Sequence, residues 1–79
     1  MNNSEKLMSA IAGVLNLSVD QISDNSDQDS LPGWDSLAMV NLIMELETLF
    51  NISFDILEIA EFKSVHIIKL FLENKGVIF

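Results

Sequence analysis

The sequence contains no cysteine and no arginine, and it has only one histidine and one proline. Without cysteine the chain cannot form disulfides, thiolate metal sites or cysteine nucleophiles, which fits a reducing, cytoplasmic setting. The first ten residues lack a basic segment followed by an apolar one, so we expect no signal peptide. No run approaches the roughly 18 apolar residues that a membrane span needs. A chain of 79 residues predicts one domain, spanning 1–79.

Basic residues are also scarce, and their distribution is uneven. Four lysines stand against twelve acidic residues, for a net charge of −8. Between Lys6 and Lys63 there are ten acidic residues and no basic one. Such a surface repels nucleic acid and anionic membranes, so we expect neither as a partner. It attracts basic patches on partner proteins, although acidity alone is also explained by solubility.

Apolar residues recur at helical spacing, which predicts an all-α fold. The pattern indicates four helices, at 4–17, 36–50, 56–61 and 64–74. Ser4 is expected to cap the start of the first helix, and Gly76 to end the last one. The loop at 18–35 is long, with one helical turn near its start. We therefore expect a four-helix bundle, with three main helices, a short third helix and a long loop between helices 1 and 2.

The apolar positions divide into core arcs and one additional stripe. Helix 2 directs a wide arc to the core, formed by Met39, Leu42, Ile43, Leu46, Leu49 and Phe50. The last helix does the same with Val65, Ile67, Ile68, Leu70, Phe71 and Leu72. In the loop, Val19, Ile22 and Leu31 are expected to be apolar anchors. Leu37, Val40 and Met44 lie outside the helix 2 arc, among polar residues, and are either peripheral core or an exposed docking stripe.

The sequence contains no recognisable catalytic or metal-binding motif. A serine nucleophile needs a base, and the only histidine, His66, lies on a different predicted helix, on its polar face. There is no glycine-rich phosphate loop. Asn25, Asp27 and Asp29 have the first spacings of a calcium loop, but position 6 is Ser30 and position 12 is Ser36. The sequence therefore predicts neither an enzyme nor a dedicated metal site.

The stretch "PGWDSLAMV" (32–40) places Ser36 at a turn–helix junction. Asp35 can cap the helix, which puts Ser36 in the first turn, where free N–H groups and the helix dipole favour an anion. A phosphodiester on Ser36 would be stabilised there. From these residues alone, Ser36 is either a modification site or an alternative helix cap.

The wider pattern resembles the acyl carrier protein family of phosphopantetheine-binding carriers. The resemblance covers the first amphipathic helix, the loop "LSVDQISDNSDQDSL", the "GWDSL" motif, the helix "AMVNLIMELETLF" and the segment "ISFDILEIAEFKSV". It implies that Ser36 carries 4′-phosphopantetheine, attached from coenzyme A by a phosphopantetheinyl transferase, and that Asp35 helps to position the serine. The arm's thiol would hold acyl groups as thioesters.

The resemblance also implies partners. Leu37, Val40, Met44 and Glu47 match the positions that family members offer to acyl-loading and acyl-processing enzymes with basic docking patches. We expect a monomer, because a carrier must visit several enzymes. An aminoacyl or peptidyl carrier, an unmodified interaction scaffold and a small acidic metal-binding protein are the competing functions.

Two departures from the family pattern bear on the pathway. Ala38 and Asn41 stand where carriers of central fatty acid synthesis usually have acidic residues, and Trp34 replaces a smaller residue. Both changes favour a dedicated carrier in a specialised fatty acid or polyketide-like pathway.

Overall fold

Four helices form the fold, and each is preceded by a residue whose side chain caps it. The computed structural model describes residues 2–79. Helices α1 to α4 span Asn3–Leu15, Ser36–Phe50, Ile56–Ile59 and Val65–Asn74, and a 3₁₀ turn spans Val19–Gln21. Over 2–79 there is no strand, only an isolated antiparallel bridge between Asp27 and Ser64. The expected all-α four-helix bundle with a short third helix is confirmed.

Helix α1 begins and ends earlier than the predicted 4–17. The side chain of Asn2 accepts a hydrogen bond from the Glu5 N–H at 2.8 Å, so Asn2 is the N-cap and not Ser4. At the other end Asn16 adopts a left-handed conformation with φ of 58°, which ends the helix at Leu15. The following Leu17 N–H then donates to the carbonyl of Ala12 at 2.9 Å. Asparagine tolerates this conformation better than most residues, which explains the early end.

Helices α2 and α4 have the predicted bounds. Helix α4 starts after Ser64, whose Oγ accepts a hydrogen bond from the Ile67 N–H. It ends at a glycine-dependent cap, since Gly76 has φ of 97° and Val77 N–H donates back to Leu72 at 3.0 Å. Helix α3 is shorter than predicted and ends at Ile59, because the chain tightens there into a bond from Glu61 N–H to the carbonyl of Glu58.

The core lies where α1, α2 and α4 meet, with the segment after α3 inserted among them. Its fully buried side chains are Leu7, Ile11, Leu46, Phe62, Val65, Ile68 and Leu72. Each contributes about 1.5–3 kcal/mol through removal of apolar surface from water. Phe62 packs edge-on against Phe54, with ring centroids 4.9 Å apart, and stacks on Phe71 at 5.6 Å. This aromatic cluster holds the short α3 segment on the bundle.

Three predicted core residues are exposed instead. Val19 lies on the outer side of the 3₁₀ turn, so Ile22 and Leu31 anchor the loop without it. Leu49 borders a surface hollow of about 160 Å³ between α1 and α2, which it shares with Lys6 and Glu45. Leu70, on the apolar arc of α4, is about half exposed. The predicted apolar arcs that contain these two leucines are therefore wider than the buried faces of α2 and α4.

The long loop follows a fixed path across the start of α4. Two backbone hydrogen bonds join the loop to this part of the chain. The N–H of Val65 donates to the carbonyl of Ser26 at 3.0 Å, and the N–H of Gln28 donates to the carbonyl of Lys63 at 2.9 Å. Lys69 on α4 adds an ion pair to Asp24 at 2.6 Å. These bonds hold the loop against the start of α4, and so they fix the position at which the chain enters α2.

Candidate functional site

The turn before α2 combines an anchored tryptophan with an exposed serine. Trp34 is buried, and its Nε1–H donates to the carbonyl of Phe62 at 3.1 Å. Gly33 takes φ of 83°, a conformation that side-chain-bearing residues rarely adopt, and its carbonyl accepts from Asp35 N–H. Ser36, the first residue of α2, is exposed. The tryptophan fixes the turn while the serine hydroxyl stays open to solvent.

The N-terminus of α2 leaves hydrogen-bond donors available beside this hydroxyl. Asp35 is the N-cap, and its Oδ1 accepts from Ala38 N–H at 2.9 Å, while its carbonyl accepts from Met39 N–H. Among the described residues, nothing accepts from the N–H groups of Ser36 and Leu37. Free N–H groups and the helix dipole stabilise a negative charge at this end. The residues present therefore fit a phosphodiester attached to the Ser36 hydroxyl.

The stripe predicted on α2 is exposed in the structure. Leu37 and Met44 are 71% and 61% exposed, and Val40 is also exposed. The alternative in which these residues are peripheral core is therefore wrong. Glu47 continues the same face one turn further, but it is only half-buried and its Oε2 accepts a hydrogen bond from Phe54 N–H at 2.9 Å. Glu47 thus ties α2 to the chain that leads into α3.

The two positions that depart from the family pattern behave differently. Ala38 is buried, so a larger acidic side chain at this position would need the surrounding side chains to rearrange before its carboxylate could reach solvent. Asn41 is exposed and could be acidic without a change in packing. The exposed face of α2 around Ser36 therefore carries fewer charges than the chain's composition implies.

Other candidate residues are separated from Ser36 or engaged elsewhere. His66 is exposed on α4. Oδ1 of Asp27 accepts from the N–H groups of Asp29 and Ser30, so its carboxylate closes the loop on itself. Across residues 2–79, no group of three or more histidines or acids is arranged to hold a metal ion. No helix within that range is long and apolar enough to cross a membrane.

Trp34 and Phe62 are the site residues that the sequence interpretation missed. The tryptophan was noted only as a departure from the family pattern, yet its buried indole positions the turn that presents Ser36. A large aromatic residue in a turn, beside a glycine and directly before the cap, was the available signal. Its acceptor lies 28 residues further along the chain, so no local pattern could have identified it.

Comparison with known proteins gives one family. A comparison with curated protein sequences found no match. The family model for the phosphopantetheine attachment site matches residues 5–67, which include most of α1, the loop, α2, α3 and the first residues of α4. The match covers most of the chain and contains the whole site described above. The chain therefore belongs to the phosphopantetheine-attachment-site family of acyl carrier-like proteins, whose members bind covalently attached 4′-phosphopantetheine.

Proposed function

We propose that this protein is an acyl carrier whose Ser36 hydroxyl bears the 4′-phosphopantetheine arm. The observation that carries the proposal is the exposed Ser36 at the first turn of α2, inside the region that matches the family. When bound, the arm supplies a terminal thiol that holds an acyl group as a thioester. The chain itself has no cysteine, so its reactive thiol must come from this group.

Each neighbouring residue has a defined part in this proposal. The free N–H groups of Ser36 and Leu37 stabilise the negative charge of the phosphodiester. Asp35 caps α2 and so keeps those groups together, which also positions the serine for the transferase. No histidine lies on α2 or in the turn before it, so the base that activates the hydroxyl belongs to the transferase. The protein is thus a substrate and a carrier and not an enzyme.

Partners are a phosphopantetheinyl transferase and enzymes that load or process the cargo. We propose that these enzymes contact the docking stripe formed by Leu37, Val40, Met44 and Glu47. The net charge of −8 attracts their basic patches to the molecule as a whole. The low charge of the α2 face supports a dedicated carrier in a specialised fatty acid or polyketide-like pathway. The absence of cysteine supports a cytoplasmic location, and repulsion between acidic copies supports a monomer.

The test is the intact mass after incubation with coenzyme A, magnesium and a broad-specificity phosphopantetheinyl transferase. We expect the parent to gain one phosphopantetheine and Ser36→Ala to gain none, whereas a Ser30→Ala control behaves like the parent. No gain in a folded parent would support an unmodified interaction scaffold instead. Loading the modified protein with acyl and with aminoacyl groups separates the acyl carrier from an aminoacyl or peptidyl carrier.

A further inference from the structure

Aromatic side chains occupy the interior of the fold near the start of α2. Trp34 and Phe62 are both buried, and the half-buried Phe54 and Phe71 pack against the same core. The Phe62 ring contacts both of the other phenylalanine rings, with centroid distances of 4.9 Å and 5.6 Å. These four residues, called the aromatic core below, are most of the six aromatic residues in the chain.

Trp34 closes the aromatic core on the side of Ser36. It precedes the serine by two residues, and its indole is buried while Ser36 is exposed. The indole Nε1–H donates to the buried Phe62 carbonyl at 3.1 Å. Because opening this bond inside the fold would leave a donor and an acceptor unpaired, the indole is held in place. A group attached to Ser36 therefore has solvent on one side and a closed core on the other.

The aliphatic residues around the aromatic core are tightly buried as well. Leu46 on α2 and Ile68 on α4 have no exposed surface. Protein interiors are packed as densely as organic crystals, so a guest chain enters only where side chains move aside. Overfilling a packed core destabilises it. An acyl chain on the arm would thus have to displace aromatic rings in order to enter between α2 and α4.

Two surface hollows lie between α1 and α2, but neither suits an alkyl chain. The larger one, of about 250 Å³, is lined by Ser9, Ala10, Gly13, Val14 and Glu45. The smaller one adds Lys6 and Leu49 to this lining. Glu45 follows Ser36 by nine residues, which places it about 180° around α2 from the serine. Because Lys6 and Glu45 bring charged groups to these hollows, burying an alkyl chain there would cost their hydration.

We propose, on the basis of the carrier function proposed above, that the aromatic core keeps the acyl cargo outside the fold, with Trp34 closing the entrance beside Ser36. The cargo then stays in water until an enzyme takes it. Exposed methylene groups are unfavourable in water, and the cost grows with each one added. The substrate class is therefore a short or polar acyl group and not a long alkyl chain.

The experiment loads the protein with an arm that carries either a butyryl or an octanoyl group. A broad-specificity phosphopantetheinyl transferase takes the arm from the matching acyl-coenzyme A, forms the phosphodiester to Ser36 and releases adenosine 3′,5′-bisphosphate. Hydroxylamine then cleaves the thioester to a hydroxamate and a free thiol, and the intact mass gives the rate. Native hydrophobic-interaction chromatography reports independently whether the octanoyl chain is exposed.

For the parent, we expect cleavage rates within about twofold of each other and later elution of the octanoyl form. Trp34→Ala opens the core, so octanoyl cleavage should slow about tenfold if the chain spends about nine-tenths of its time inside, and elution should approach that of the butyryl form. Phe79→Ala is the matched control, because it removes an aromatic ring outside the aromatic core, and it should behave like the parent. Trp34→Leu replaces the alanine variant if that variant does not fold.

Three outcomes would overturn the proposal. Slow octanoyl cleavage in the parent, with elution like that of the butyryl form, would show that the core admits the chain. Equal protection in the parent and in Trp34→Ala would assign the chain to a site that Trp34 does not close. Folded Trp34 variants without protection would remove Trp34 as the entrance. Failure of the carrier function itself appears differently, as a parent that accepts an arm from neither donor.

Discussion

At the scale of single residues, Asp35 and Ser36 have different roles at the start of α2. Asp35 uses its carboxylate to cap the helix, and Ser36 keeps its hydroxyl free. The sequence was sufficient to identify both, because a cap and a first-turn residue are defined by local order. It was not sufficient for Trp34, since the carbonyl that accepts a hydrogen bond from its indole, that of Phe62, comes from a distant segment.

The cap gives a prediction that separates hydrogen bonding from charge. Asp35→Ala removes the acceptor of the Ala38 N–H and should lower the free energy of unfolding by about 1 kcal/mol, whereas Asp35→Asn keeps an acceptor and should lower it by only a few tenths. Urea unfolding followed by circular dichroism measures both. Equal losses in the two variants would show that the carboxylate's charge, and not the hydrogen bond, stabilises the helix.

At the scale of elements, local capping signals predicted some helix ends and missed others, since α1 is capped by Asn2 and not by Ser4. Ser64 and Gly76 bound α4 as predicted, because capping depends on the residue itself. Leu49 and Leu70 were assigned to the core and are exposed, because periodicity gives the direction of a side chain but not what packs against it. The solvent-facing stripe on α2 was predictable, since polar neighbours bracket it.

Helix α3 depends on a tie that is testable on its own. Lys75 bonds to Glu58 at 3.1 Å and lies over the ring of Phe54, 5.1 Å from its centroid. Because a partly buried pair of this kind is worth up to about 1 kcal/mol, Lys75→Met should speed amide exchange at Ile59 and Phe62 by about two- to fivefold. Hydrogen exchange measured by NMR checks this.

The control for that experiment is Lys63→Met, which removes an exposed lysine from the segment that follows α3. It should leave exchange at the same two amides unchanged. Equal acceleration in both variants would mean that overall charge, and not the tie between Lys75 and Glu58, governs the stability of α3.

At the scale of the whole molecule, charge opposes compactness. Ten acidic residues lie between Lys6 and Lys63 without a basic residue, and two of the four lysines are paired with Asp24 and Glu58. The remaining carboxylates repel one another across a small fold, which destabilises it at low ionic strength. The sequence made this property predictable, because it depends on composition more than on packing.

Salt should therefore stabilise the protein. Raising NaCl from about 20 to about 500 mM screens the repulsion and should raise Tm by several degrees, since about 1 kcal/mol shifts Tm by 4–8 °C in a domain of this size. Magnesium chloride should raise it as well, because divalent cations also screen the repulsion between the carboxylates. Calorimetry measures both, and an unchanged Tm would contradict this account of the charge.

The central claim is that Ser36 carries phosphopantetheine, and the protein isolated from its own cells tests it most directly. Its intact mass, followed by fragmentation in the mass spectrometer, reports both the group and its position. We predict one phosphopantetheine, on fragments that contain Ser36. A chain of unmodified mass, or a group mapped to any other residue, would contradict the account.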